Sequence, residues 1–128
     1  MPKPAPGLPL PMTRAEMERL RDRAGEAAAL LRTLSNEKRL LILCTLAGGE
    51  LSVSELNERI PMSQSALSQQ LAVLRREGLV ETRREAQTIY YSVVPSNAAA
   101  IIEVLRGLYC GGRRKRTGRS AAPRGRGG

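Results

Sequence analysis

Histidine is absent from this chain, as are phenylalanine and tryptophan, and cysteine occurs only twice in 128 residues. Without imidazole the usual sites for zinc, nickel or cobalt are missing, and a nucleophilic side chain has no histidine to activate it. Cys44 and Cys110 form no Cys-x-x-Cys unit, which argues against a thiol oxidoreductase. Acid–base chemistry would then fall to converging carboxylates, yet Glu37, Glu55, Glu58, Glu77, Glu81 and Glu85 sit where helix caps and solvated faces are expected. The inventory points away from an enzyme. Lacking large aromatics, the core has to be aliphatic, and at this length it is one modest core of the kind often completed by dimerisation.

Long apolar runs are missing too. No segment is long enough to cross a bilayer, and Met1–Met12 is interrupted by Pro2, Pro4, Pro6, Pro9 and Pro11, which denies it the apolar stretch of a signal peptide. A cytoplasmic location is the expectation, with both cysteines reduced at rest. The formal net charge of +9 is unevenly spread: of the 21 Lys and Arg, seven follow Gly111 with no acid among them, so Met1–Cys110 holds 14 basic against 12 acidic residues. The high pI therefore belongs to the tail. Residues 111–128, with Arg113-Arg114-Lys115-Arg116 among Gly, Pro and Ser, have too little apolar content to fold and read as a disordered basic end, either simply solvated or adding phosphate contacts. Residues 1–12 read as a disordered Pro-rich start, and 13–110 as the folded domain.

What is present is periodic. Thr13-Arg14-Ala15-Glu16 is a capping box opening a helix whose Leu20, Ala24, Ala27 and Leu31 recur at three and four. A second helix runs from about Asn36 to Ala47 and stops at Gly48-Gly49, and a last one from about Asn97 to Tyr109 shows Ile101, Ile102, Leu105 and Leu108. Between them, Ser52-Val53-Ser54-Glu55 is another capping box, whose helix ends at Pro61. The next helix opens at Ser63 and runs to Glu77, where Gly78 supplies the left-handed stop.

At about 100° per residue, Leu67, Leu71 and Leu74 share one stripe of that helix. Ser65, Ser68, Gln69, Ala72 and Arg76 share the other, a face of short polar groups able to approach base edges in a major groove. Leu79–Glu85 and Thr88–Val93 are β-rich, with Ile89, Tyr91 and Val93 alternating with Thr88, Tyr90 and Ser92 around a short Ala86-Gln87 connection. Arg83 and Arg84 lie near the tip of that ribbon, where a wing would meet the phosphate backbone or a minor groove. Together these elements outline a mainly α winged helix-turn-helix with a small β-hairpin wing, in the order α-α-α-α-β-β-α.

The two cysteines are placed differently. Cys44 lies one turn beyond Leu40 on the apolar face of its helix, the usual setting of a buried small hydrophobe. Cys110 ends the last helix just before Gly111-Gly112, a more exposed position. On the residues alone, inert packing and paired chemistry both remain open.

From Leu34 to Cys110 the chain resembles the ArsR family of winged-helix regulators, and within it the branch of dithiol sulfur sensors. The matching blocks are Leu34-Ser35-Asn36-Glu37-Lys38-Arg39-Leu40-Leu41-Ile42-Leu43-Cys44, Ser63-Gln64-Ser65-Ala66-Leu67-Ser68-Gln69, Arg83-Arg84-Glu85-Ala86-Gln87-Thr88-Ile89-Tyr90-Tyr91 and Leu108-Tyr109-Cys110. The family position after Gln69 is often histidine and here is Gln70. The resemblance implies a homodimer paired through its first and last helices, bound to an inverted-repeat operator in double-stranded DNA. Ser63, Gln64, Ser65, Ser68, Gln69, Gln70 and Arg76 are then the DNA-reading residues of the recognition helix. Arg83, Arg84 and Gln87 are those of the wing.

The resemblance also implies that Cys44 and Cys110 respond to persulfides or other small reactive sulfur species by closing a disulfide or polysulfide bridge that releases the operator, with no cofactor and no metal. Many relatives sense metals instead. The arsenic-type members place Cys-x-Cys at the start of the helix before the recognition helix, and here those positions carry Ser52 and Ser54, poor ligands for soft ions. A metal-responsive repressor and an effector-independent or antirepressor DNA binder remain the alternatives.

Overall fold

A computed structural model describes residues 10–111. The Pro-rich start up to Pro9 and the basic tail from Gly112 onward lie outside these residues, so the expectations made for them are not addressed by the fold. Five helices and three short strands follow in the order α1 (Arg14–Leu34), α2 (Glu37–Leu46), β1 (Leu51–Ser52), α3 (Val53–Arg59), α4 (Gln64–Arg76), β2 (Val80–Glu85), β3 (Thr88–Val93) and α5 (Asn97–Tyr109). The chain divides into two units, one ending at Thr33 and one beginning at Leu34.

The first unit is essentially α1. Its capping box forms as the sequence demands: the Thr13 N–H donates to Glu16 Oε1 at 2.8 Å and the Glu16 N–H to Thr13 Oγ1 at 3.1 Å. Arg23 and Glu26 pair one turn apart at 2.7 Å. The apolar stripe is open to solvent in the single chain, with Met17, Leu20 and Leu31 all about half exposed (49%, 45% and 55%).

In the second unit every helix start is marked by a side chain that takes an orphan amide. Asn36 accepts from the Arg39 N–H at 3.0 Å, Ser63 from Ala66 at 3.1 Å and Ser96 from Ala99 at 3.2 Å. The core those helices enclose is wholly aliphatic. Ile42, Leu43 and Leu46 of α2 meet Leu56 and Ile60 around α3, Leu67, Leu71 and Leu74 of α4, Leu79 and Val80 at the root of the hairpin, and Ala98 and Ile102 of α5, and no polar side chain among the described residues is fully buried with them.

The hairpin closes as expected, with Val80 opposite Val93 and Glu85 opposite Thr88, leaving Ala86 and Gln87 as a two-residue loop. Ala86 holds φ of 56°, the left-handed geometry that primed hairpin turns require. One strand goes beyond the sequence pattern. Leu51 and Ser52 pair antiparallel with Tyr91 and Tyr90, giving a sheet in the order β1-β3-β2. Because β3 is thus central, Ile89 to Val93 are all half-buried, and the alternation seen in the sequence does not reappear as alternating burial.

α4 ends in a Schellman motif. The Leu79 N–H reaches Leu74 O at 2.9 Å and the Gly78 N–H reaches Arg75 O at 3.0 Å, with Gly78 at φ 78°. Gly78→Ala forces a Cβ into this left-handed geometry and is expected to lower unfolding free energy by about 1–2 kcal/mol. Ala86→Gly relieves the same strain at the hairpin and is expected to raise stability by roughly 0.5–1 kcal/mol. Urea denaturation followed by far-UV circular dichroism measures both signs.

Candidate nucleic-acid interface and thiol pair

α3 and α4 are set at their angle by short polar contacts at each end. The Ser52 N–H donates to Glu55 Oε1 at 2.9 Å and the Glu55 N–H to Ser52 Oγ at 3.2 Å, while Asn57 Nδ2 donates to Met62 O at 2.8 Å and so holds the turn between the helices. The completely buried Leu67, Leu71 and Leu74 then fix the rotation of α4 about its axis. The opposite side carries Gln64, Ser65, Ser68, Gln69, Ala72 and Arg76, all exposed. Short side chains along a free helix face, with no acidic residue in the first turn and Arg75 and Arg76 in the last, suit close approach to an anionic groove. Arg75 lies off the central ridge that the periodicity picks out, and it is exposed nonetheless.

Gln70 does not join that face. It lies roughly 140° around the helix from Ser65, is half-buried, and keeps its carbonyl oxygen shielded from solvent with no hydrogen-bond partner. Helical phase turns Gln70 partly toward the body of the domain, unlike the other expected contacts of α4.

At the wing, Arg84 and Gln87 are exposed as expected. Arg83 is not free. Its Nε donates to both carboxylate oxygens of Glu50 at 3.0 and 3.2 Å, its Nη1 donates to Glu85 at 2.8 Å, and its guanidinium carbon stands 4.9 Å from the centre of the Tyr90 ring. The hydrogen bond from Arg83 holds the Glu50 carboxyl below its ordinary range, and the same bond together with the one Arg83 donates to Glu85 raises the Arg83 guanidinium further. Glu50 is a site residue that sequence reasoning missed.

Cys44 sits on α2, half-buried, and Cys110 caps α5, exposed; both are free thiols. The two helices pack against each other. Burial pushes the Cys44 thiol up, and negative charge on Cys110 and Glu103 adds to this, while Arg106 of α5 opposes it. The Arg106 guanidinium lies against the end of α2, with Nη2 3.7 Å from where a Gly48 Cβ would stand, and it pairs with Glu103 at 3.7 Å. That cation serves an α2 whose own last turn contains none. Among the described residues no three His, Cys, Asp or Glu side chains converge as a metal cluster would require, and no helix is long and apolar enough to cross a membrane.

A capped helix pair with one free polar face, followed by a β-hairpin wing that a short strand before the pair extends to three strands, defines a winged helix-turn-helix DNA-binding protein. Residues 36–82 match the family model described as "Bacterial regulatory protein, arsR family". The chain is 52% identical over 100 residues to the transcriptional activator HlyU of Vibrio cholerae, covering 78% of this chain and 90% of that protein. It is 48% identical over 99 residues to the biofilm growth-associated repressor of Xylella fastidiosa, covering 77% and 84%. The crystal structure of the transcriptional repressor BigR from Xylella fastidiosa superimposes with a TM-score of 0.69 at 43% identity, covering 78% of this chain and 99% of that one. The chain belongs to the ArsR family of transcriptional regulators.

The buried, unpartnered oxygen of Gln70 has a measurable cost. Gln70→Met keeps the side chain's length and removes the unsatisfied acceptor, so it is expected to raise unfolding free energy by about 1 kcal/mol. A shift of the denaturation midpoint in that direction at unchanged m-value checks it.

Proposed function

We propose that this regulator acts as a homodimeric repressor that holds an inverted-repeat operator when reduced and leaves it when persulfide links Cys44 to Cys110. The observation that carries the reading is that Cys44 and Cys110 are carried by two helices that pack together, near enough for charge on Cys110 to act on Cys44, within the same unit that holds the DNA-binding helices. Two recognition helices in successive major grooves require a fixed separation, so a covalent tie beside the helix-turn-helix alters the fit to DNA of fixed repeat. Couplings of about 1–3 kcal/mol change affinity roughly 5- to 150-fold. Blocking polymerase at the promoter is the simplest consequence of binding.

The dimer is supported by apolar surface that one chain leaves bare. On α5, Val104, Leu108 and Tyr109 are 60%, 67% and 82% exposed, and α1 offers Met17, Leu20 and Leu31. On α4 and the wing, the DNA contacts fall to Ser63, Gln64, Ser65, Ser68, Gln69, Arg76, Arg84 and Gln87.

The chemistry orders itself by exposure. The Cys110 thiolate attacks the outer sulfur of a persulfide RSSH; the reagent's S–S bond breaks, the thiol RSH departs, and Cys110 carries an –S–SH group. The Cys44 thiolate then attacks Cys110 Sγ and expels sulfide, so two thiols are oxidised to a disulfide while the persulfide is reduced to its thiol and hydrogen sulfide. A second persulfide inserted before closure gives a trisulfide bridge by the same balance. Cys44, its thiol pushed up by burial, makes closure the slower step, and closure is expected to accelerate as pH rises through and beyond the ordinary thiol range.

Cys44→Ser and Cys110→Ser are each expected to keep operator affinity within about two-fold while abolishing its loss on persulfide treatment, a coupling energy of the size just given. Intact mass spectrometry should find Cys44→Ser stalled as the Cys110 persulfide and Cys110→Ser without a bridge. Retained regulation in both variants would mark an effector-independent binder instead. Sedimentation equilibrium at micromolar concentration is expected to give a dimer, and a monomer would remove the repeat-spacing mechanism.

A further inference from the structure

Arg83 and Arg84 are neighbours in sequence but lie on opposite faces of the hairpin. Arg84 shares its face with Thr82 and the buried Val80, the side on which α4 packs against β2. Arg83 lies on the outer face with Glu81 and Glu85, opposite Tyr90 of β3. On that face Tyr90 is also the partner of Ser52 in β1, so the three strands line up as Arg83, Tyr90 and Ser52. The Arg83 side chain runs across Tyr90 and ends in a two-oxygen grip on Glu50, immediately before β1. Ser52 is in turn the N-cap of α3.

The geometry points to Arg83 as a positioning residue that straps the wing to the entrance of the helix-turn-helix, leaving Arg84 as the cation that meets DNA phosphate. Two carboxylates already satisfy the Arg83 guanidinium, and its planar fork matches Glu50 as it would match a phosphate. Using it on DNA would exchange one anion for another and free the wing. A free lysine or arginine that neutralises a phosphate contributes counterion release; one already paired with Glu50 and Glu85 has little to add. The strap instead fixes the angle at which Arg84 and Gln87 approach the duplex.

Operator affinity measured by fluorescence anisotropy across a salt series, on the full chain, separates the roles. Arg84→Gln is expected to reduce the slope of log affinity against log salt by about 0.9, the value of one phosphate contact. Arg83→Gln and Glu50→Gln are each expected to weaken binding roughly two- to five-fold, the range of an exposed ion pair, with the slope unchanged. The double reversal Glu50→Arg with Arg83→Glu is expected to recover most of that loss, which also separates a misplaced wing from a misfolded one. Tighter binding with a steeper slope in Glu50→Gln would overturn the strap, since it would mean that Glu50 withholds a phosphate contact. A slope lowered by about one in Arg83→Gln, no effect from either single change, or no recovery in the reversal would overturn it as well.

Discussion

A helix offers only one stripe to a core, and in α4 that stripe is fully taken by Leu67, Leu71 and Leu74. Those three leucines determine which side chains are left over for another molecule. Rotating α4 by a single residue would bury Ser68 and Arg75 and expose leucine, exchanging apolar contact for an unsatisfied hydroxyl and a buried charge. The core therefore sets the composition of the recognition face by exclusion. The same logic extends to the capping residues: Ser52, Ser63 and Asn57 spend their polar atoms on the ends and turn of the motif, which keeps the two helices registered against those leucines.

The second dependence is between α2 and α5. α2 contributes Ile42, Leu43 and Leu46 to the core and Cys44 to its margin; α5 contributes Ile102 to the core and ends at Cys110. The thiols ride on helices already packed together, so the proposed bridge would need little chain to be ordered and would act on elements that cannot shift without disturbing the core. Arg106 and Glu103 lie between the two, so the electrostatics around Cys44 are supplied mainly by the opposite helix.

Much of this was legible in the residues. Capping boxes at Thr13 and Ser52, the helix starts near Asn36 and Ser63, and the stop at Gly78 are local signals whose partners lie three to five residues away, and all formed. What escaped is what depends on distant partners. β1 is two residues long and exists only because Tyr90 and Tyr91 accept it as a neighbour. The Glu50–Arg83 contact joins residues 33 apart, and nothing in the neighbourhood of Arg83 announces that its charge is already spoken for. Gln70 follows Gln69 in the chain, but helical phase gives the two different settings, one half-buried and one exposed.

One compositional gap leaves a practical mark on the finished molecule. With no tryptophan and only three tyrosines, the chain's ultraviolet emission comes from Tyr90 and Tyr91 in the central strand of the sheet and from Tyr109 beside the exposed thiol, and none of these rings is in the core. Intrinsic fluorescence of this protein is thus a readout of the sheet and of the end of α5, blind to the aliphatic interior.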